Sequence, residues 1–292
     1  MHAYKSKVGG YRADFGSLDE LCGWIEATPS ACKVNYSGSG NGSPQGSAGW
    51  HGTGSWAEAQ KLVREGWPAG RSKLKSAVSK IPPIQQARAR ILSQGRDVGG
   101  AYPDVPLAVA GEPACMVTVG EQERATRPFI RFRINCAASA AIDVETIQAR
   151  GAVLLAYVDE LEQAGARCEI VMECGLGHGT TDRIDVSVMV KRADEHLDID
   201  RLSYVLINPS FLRRHCFAHA ERAPGCPFNK YDGLYGPPHD LEEDANDGIA
   251  SVHFGSQMWG ATQWTSPEKA AAFVREEILK ACGDLSGMLA GD

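Results

Sequence analysis

Residues 128–191 constrain the fold more than any other part of the chain. PFIRFRINC (128–136) has the β-rich, partly alternating pattern of a strand. Val144, Ile147, Val153, Leu154, Tyr157, Val158 and Leu161 then fall near helical spacing over 144–164, and Gly165 ends the run. ARCEIVME (166–173) and RIDVSVMVK (183–191) read as two strands joined by the glycine-rich CGLGHGTTD. About nine turn residues are too few for a parallel crossover, so the pair is expected to be an antiparallel hairpin at a sheet edge. Helical stretches follow at about 198–207 and 210–221, then a strand near 249–254 and a helix over 266–281 capped by Ser266. That order predicts an α/β sheet with helices on its faces.

The first hundred residues have a different texture. SLDELCGWIEA (17–27) predicts a short helix with Ser17 as N-cap and Glu20 completing a capping box, and Ser55 with Glu58 repeats the device before a helix over 56–65. Gly66 and Pro68 stop that helix. Further helices are expected over about 71–80, ended by Pro82-Pro83, and over QQARARILSQG (85–95). Residues 37–49 carry five Gly and four Ser and read as a flexible loop. With 292 residues, two domains are expected: a mainly helical N-terminal module (1–104) and a C-terminal α/β domain (105–292), α+β overall.

Thirty basic and 36 acidic side chains give a net charge of −6, but the sign is unevenly distributed. Residues 1–124 hold 14 basic and 11 acidic groups (+3), and residues 125–292 hold 16 and 25 (−9). No apolar run approaches the ~18–20 residues of a membrane span, and the polar start lacks the apolar core of a signal peptide. Nine cysteines stand singly with no C-x-x-C pair, which predicts a reducing cytoplasm, with Cys136 and Cys168 as small buried hydrophobes.

Ligands of open α/β sheets bind beyond the carboxyl ends of the strands, which directs attention to Ile134-Asn135-Cys136-Ala137-Ala138-Ser139. The strand, this loop, the long helix and the antiparallel hairpin resemble a von Willebrand factor A-type domain, a Rossmann-type fold, over roughly 110–290. That family binds a divalent cation through D-x-S-x-S with a distant Thr and Asp. Laid on the motif, Asn135 stands at the Asp position, Ala137 at the first Ser and Ser139 at the second. Exchanging a carboxylate for an amide and a hydroxyl for a methyl weakens a Mg²⁺ site severely, so the resemblance implies a degenerate binding loop and no cofactor. GSWAEAQKLVREGWPAG (54–70), DVGGAYPDVPLAVAGEPACMV (97–117) and RGAVLLAYVDELEQAG (150–165) also resemble a family of tailed-bacteriophage proteins with no assigned reaction. This implies a phage-encoded protein in the bacterial host cytoplasm.

Other motifs carry less. GLGHGT (175–180) lacks the G-K-[ST] of a phosphate loop and reads as a hairpin turn. His215, Cys216, His219 and Cys226 include enough soft ligands for Zn²⁺, but their spacing fits no zinc signature, and the plainer reading is a helix end with surface histidines. Asp240, Glu242, Glu243, Asp244 and Asp247 form an acidic run, ordinarily a solvated loop. Glu169 with Glu173, and Asp182 with Asp185, flank strands as exposed charges do. No catalytic triad or Cys-His arrangement assembles from local motifs.

The basic segment 61–96 holds nine Lys/Arg against Glu65 alone. Lys61, Arg64, Arg71, Lys73, Lys75, Lys80, Arg88 and Arg90, with Trp67, are candidates for phosphate contact and base stacking. The alternative is docking of these helices onto acidic parts of the same chain or of a partner, with Trp56 and Trp67 as core. Three functions are therefore expected in order. The first is a non-enzymatic binding or scaffold protein that presents the 135–139 and 223–247 loops to a protein partner, or associates with itself. The second is a DNA- or RNA-binding accessory protein, and the third a metal-dependent enzyme.

Overall fold

The computed structural model describes residues 2–5, 10–33, 35–40, 46–81, 84, 88–125, 127–179, 181–224, 226–231, 235–242, 249–257 and 261–281, with backbone alone for 2–5, 88–93, 120–125 and 227. Two strands, β1 (His2–Lys5) and β2 (Tyr11–Phe15), precede α1 (Leu18–Ala27), α2 (Ala48–His51), α3 (Trp56–Glu65) and α4 (Arg71–Val78). Next come β3 (Arg88–Asp97), β4 (Tyr102–Pro103), α5 (Val105–Val109) and β5 (Met116–Ala125), followed by β6 (Phe129–Asn135), α6 (Val144–Gln163), β7 (Arg167–His178) and β8 (Asp182–Lys191). The chain continues through α7 (Ile199–Ile207), a π-helical turn (Phe211–Cys216), α8 (Phe217–Ala220), β9 (Pro238–His239), β10 (Ser251–Phe254) and α9 (Pro267–Ala281).

The main sheet is mixed, in the order β1-β2-β8-β7-β6-β10, with β9 added on β7. β6 runs parallel to β7 and β10, whereas β7 and β8 are antiparallel. One sheet face is apolar: Ile130, Phe132 and Ile134 of β6 lie beside Cys168, Ile170 and Met172 of β7 and Val252 and Phe254 of β10, all buried. α6 covers this face and packs against α4, α7 and α9. Gly151 lets α6 and α7 meet, because a Cβ there would collide with the Leu206 carbonyl. The capping expectations hold in detail. Ser17 Oγ accepts from Glu20 N and Ser55 Oγ from Glu58 N, each at 3.1 Å, while the two glutamates reach back to the amides of Gly16 and Gly54 at 2.7 Å.

Four expectations change. The helix expected over QQARARILSQG (85–95) is a strand where it is described: Arg88–Asp97 pairs with β5 over ten residues, and residues 85–87 lie outside the described residues. Its apolar and basic residues alternate as readily at period two as at helical spacing, and the long ladder decides. The 166–191 hairpin is not at an edge, because β2 pairs parallel with β8 and β1 lies beyond it. The division expected near 104 falls inside the small sheet β3-β5-β4, while β2, α1, α3 and α4 contribute to the same core as the C-terminal half. The Gly/Ser loop is tethered where it is described: Ser37 is fully buried and donates Oγ to the Glu221 carboxylate. Residues 41–45 and Pro82-Pro83 lie outside the described residues.

Candidate functional site

At the carboxyl end of β6, Asn135 is buried and both ends of its amide are engaged. Its Nδ2 donates to the His239 carbonyl at 2.8 Å and to Asp240 Oδ1 at 3.0 Å, and its Oδ1 accepts from Ala137 N at 3.0 Å. Ala137 is fully buried, and Ser139 N donates to the Gln257 carbonyl at 2.9 Å. The three motif positions thus belong to a latch between β6, β9 and β10 and do not converge as a set of free oxygens. Arg150, buried on α6, closes the latch from below by donating to the carbonyls of Asn135, Phe254 and Gly255 at 2.8–3.1 Å. Burial pushes its guanidinium down to about 10.

The polar face of the sheet carries a charged cluster that local spacing did not reveal. Arg133 Nε donates to Glu173 Oε1 at 2.7 Å, and His253 Nε2 stands 3.3 Å from Oε2 of the same carboxylate, which is 1% exposed. Beside it, His239 Nε2 and Asp185 Oδ1 are 2.7 Å apart. Glycine makes room for this arrangement: a Cβ on Gly175 would fall 2.9 Å from the His239 ring, and one on Gly255 would fall 2.8 Å from the Asp240 carboxylate. The Glu169–Glu173 and Asp182–Asp185 spacings do not form carboxylate pairs. Glu169 pairs with Arg131, Glu173 with Arg133, and Asp182 with Lys230 and Tyr231. The alternation Arg131-x-Arg133 was the available sequence signal for these cross-strand ion pairs. Glu243, Asp244 and Asp247 of the acidic run lie outside the described residues.

The four candidate zinc ligands face separate surroundings. His215 Nδ1 meets the Tyr204 hydroxyl at 3.1 Å beneath Phe211 and Trp56. His219 sits among Tyr11, Phe15 and Trp24, with ring centroids 5.0–5.9 Å away, and the free thiol of Cys226 is hydrogen-bonded to that of Cys32. Neither histidine is on the surface. Both are fully buried, and desolvation pushes each down to about 3, so both imidazoles are neutral at pH 7. Cys216 instead joins Cys136 and Cys174, the three Sγ atoms lying within 4.8 Å of one another. Hydrogen bonds from Cys174 and then Cys216, with Arg150 nearby, hold the Cys136 thiol well below its ordinary range.

The basic segment is largely engaged within the chain. Arg71 grips Asp200 through Nε and Nη2 at 2.5 and 2.7 Å, Arg64 pairs with Glu26, Lys80 reaches Glu268 at 3.0 Å, and Lys61 lies 3.7 Å from Glu65. Lys73 and Lys75 project from α4, while Trp67 and Trp56 pack against the core. The side chains of Arg88 and Arg90 lie outside the described residues.

β3, β4, α5 and β5 form an arm that contributes little to the core. Val98, Tyr102, Val105, Val109 and Val119 are 46–83% exposed, and they are the exposed large hydrophobics of the described residues. Within the arm, Arg96 pairs with Asp104 at 2.8 Å.

A family model described as "Domain of unknown function (DUF7192)" matches residues 5–281. No curated protein and no solved structure matches the chain.

Proposed function

The chain belongs to the DUF7192 family, and from that premise we propose that it is a non-enzymatic scaffold protein whose copies associate through the β3–β5 arm. The observation that carries this reading is that the five exposed large hydrophobics among the described residues all stand on that one arm. Apolar exposure of this kind marks interaction surfaces. β3 is the outer strand of its sheet over ten residues, and β4 covers only two residues of β5, so the arm offers a strand edge next to its valines. Unpaired edges recruit further strands. Two identical edges pair antiparallel about a twofold axis, the commonest symmetry of homo-oligomers. A second copy of the arm satisfies edge and apolar surface together.

The von Willebrand A-like reading of the core is supported by β6, the loop after it, the long α6 and the antiparallel β7–β8 hairpin, in that order. On this reading the altered cation loop serves as a latch, and binding passes to the arm instead of the 135–139 loop, whose Asn135 and Ala137 are buried. The resemblance to tailed-phage proteins makes the host cytoplasm the proposed setting. No described helix is long and apolar enough to cross a membrane. The nucleic-acid reading has less support, since Arg64, Arg71 and Lys80 already pair with carboxylates.

Light scattering of the full chain tests the proposal. A dimer or larger assembly is expected, falling to monomer in the triple variant Val98→Ser, Val105→Ser, Val109→Ser with an unchanged circular dichroism spectrum. A wild-type chain that stays monomeric up to about 100 μM, a concentration at which even weak self-association populates oligomers, overturns it.

A further inference from the structure

We propose that Cys136, Cys174 and Cys216 form a site for one thiophilic d¹⁰ cation, Zn²⁺, with water as fourth ligand. The sulfur triangle already has the required size. Cys136 Sγ and Cys216 Sγ are 3.7 Å apart, and all three Sγ atoms lie within 4.8 Å of one another. A cation with Zn–S bonds of about 2.3 Å holds its sulfurs about 3.8–4.0 Å apart in tetrahedral to trigonal geometry, so closure needs shifts of less than about 1 Å.

Three different elements supply the thiols, and each is held independently. Cys136 follows β6, its backbone N–H donating to the Glu173 carbonyl at 2.7 Å. Cys174 lies within β7, opposite Val186 of β8. Cys216 ends the π-helical turn, a wider coil frequent at functional positions. A cavity of about 20 Å³ borders Cys136 and is also lined by Arg150 and Gln257, which is room for one water. Gln257 is 2% exposed, and among the described residues neither its Nε2 nor Arg150 Nε has a hydrogen-bond partner. Both are donors, suited to a metal-bound water or hydroxide.

Charge and ligand type agree with this assignment. Three thiolates and Zn²⁺ sum to −1, and the buried Arg150 guanidinium, which interacts electrostatically with Cys136, offsets that charge. Binding releases the thiol protons to solvent and involves no redox step. An all-thiolate set selects Zn²⁺, Cd²⁺ or Cu⁺ over Mg²⁺ and Ca²⁺. If the three cysteines were merely small apolar core groups, they would show no metal affinity.

The test uses the full reduced chain, stripped with a chelator and titrated with Zn²⁺ against a chromophoric competitor. One Zn²⁺ per chain is expected, with a rise in Tm that chelator reverses and Mg²⁺ does not reproduce. Cys136→Ala is expected to weaken binding by about 100-fold or more, as loss of one of three thiolates requires, while Cys115→Ala on the arm binds as wild type does. Alkylation mapped by mass spectrometry on the wild-type chain keeps the test independent of variant folding. Zn²⁺ should slow alkylation of Cys136, Cys174 and Cys216 and leave that of Cys115 unchanged. Absence of stoichiometric binding, equal alkylation with and without Zn²⁺, or a folded Cys136→Ala variant that retains wild-type affinity each overturns the assignment.

Discussion

Asn135 and Asp240 are joined by a 3.0 Å hydrogen bond that ties the end of β6 to the segment leaving β9, and Asp240 Oδ1 also accepts from Ser256 N. One amide therefore fixes the crossing of three chain segments. Asn135→Ala removes three hydrogen bonds, one buried and two partly buried, and leaves the N–H of the fully buried Ala137 without its acceptor. A loss of about 1–3 kcal/mol is expected in urea denaturation, the cost of one buried group left unsatisfied. Millimolar Mg²⁺ should leave the wild-type Tm unchanged, because the amide that stands at the cation position already has partners. A large Mg²⁺-induced rise would contradict the latch.

Gly151 and Leu206 define the closest approach of α6 and α7. Gly151→Ala drives a methyl into a backbone carbonyl that cannot rotate away, and the helices must separate. Although alanine favours helix, a net destabilisation of about 3 kcal/mol is expected, at the upper end of overpacking costs. Thermal unfolding measures it, and a Tm equal to or above wild type would show that the helices are not in contact there.

The buried histidines predict acid sensitivity. Desolvation, reinforced by Arg222 at His219 and by Arg64 and Arg214 at His215, holds both folded-state values near 3. The unfolded chain takes up these protons below about pH 6.5, whereas the folded chain does not, so stability falls as pH drops from about 6.5 toward 3. Each histidine contributes a slope of about 1.4 kcal/mol per pH unit. His219→Phe, which keeps an aromatic ring among Tyr11, Phe15 and Trp24, should make the stability–pH curve between pH 4 and 5.5 shallower by about that amount. An unchanged slope would mean that His219 is protonated in the folded chain.

The sequence made local elements legible where one short-range rule governed them. Ser17, Ser55 and Ser266 mark helix starts, and Gly165 marks the end of α6, because caps are satisfied within a few residues. β2 escaped notice since what makes it a strand is pairing with β8, some 170 residues away in sequence, and β1 pairs in turn with β2. The same holds for the sites. Cys136, Cys174 and Cys216 are separated by 38 and 42 residues, and only the topology that sets β6, β7 and the π-helical turn side by side unites them. His239 and Asp185 meet because Gly175 lacks a side chain, a condition that composition does not reveal. The basic segment was visible as charge, but Glu26, Asp200 and Glu268, its neutralising partners, come from three distant elements.

Association through the arm is the central claim, and amide hydrogen exchange on β3 and β5 at rising protein concentration tests it most directly. The β3–β5 ladder protects only amides that point into it, leaving the outward N–H groups of the β3 edge open in a single copy. Protection of alternate β3 amides should therefore grow with concentration in the wild-type chain and stay low in the Val98→Ser, Val105→Ser, Val109→Ser variant. Exchange at the β3 edge that stays fast and independent of concentration would contradict the account.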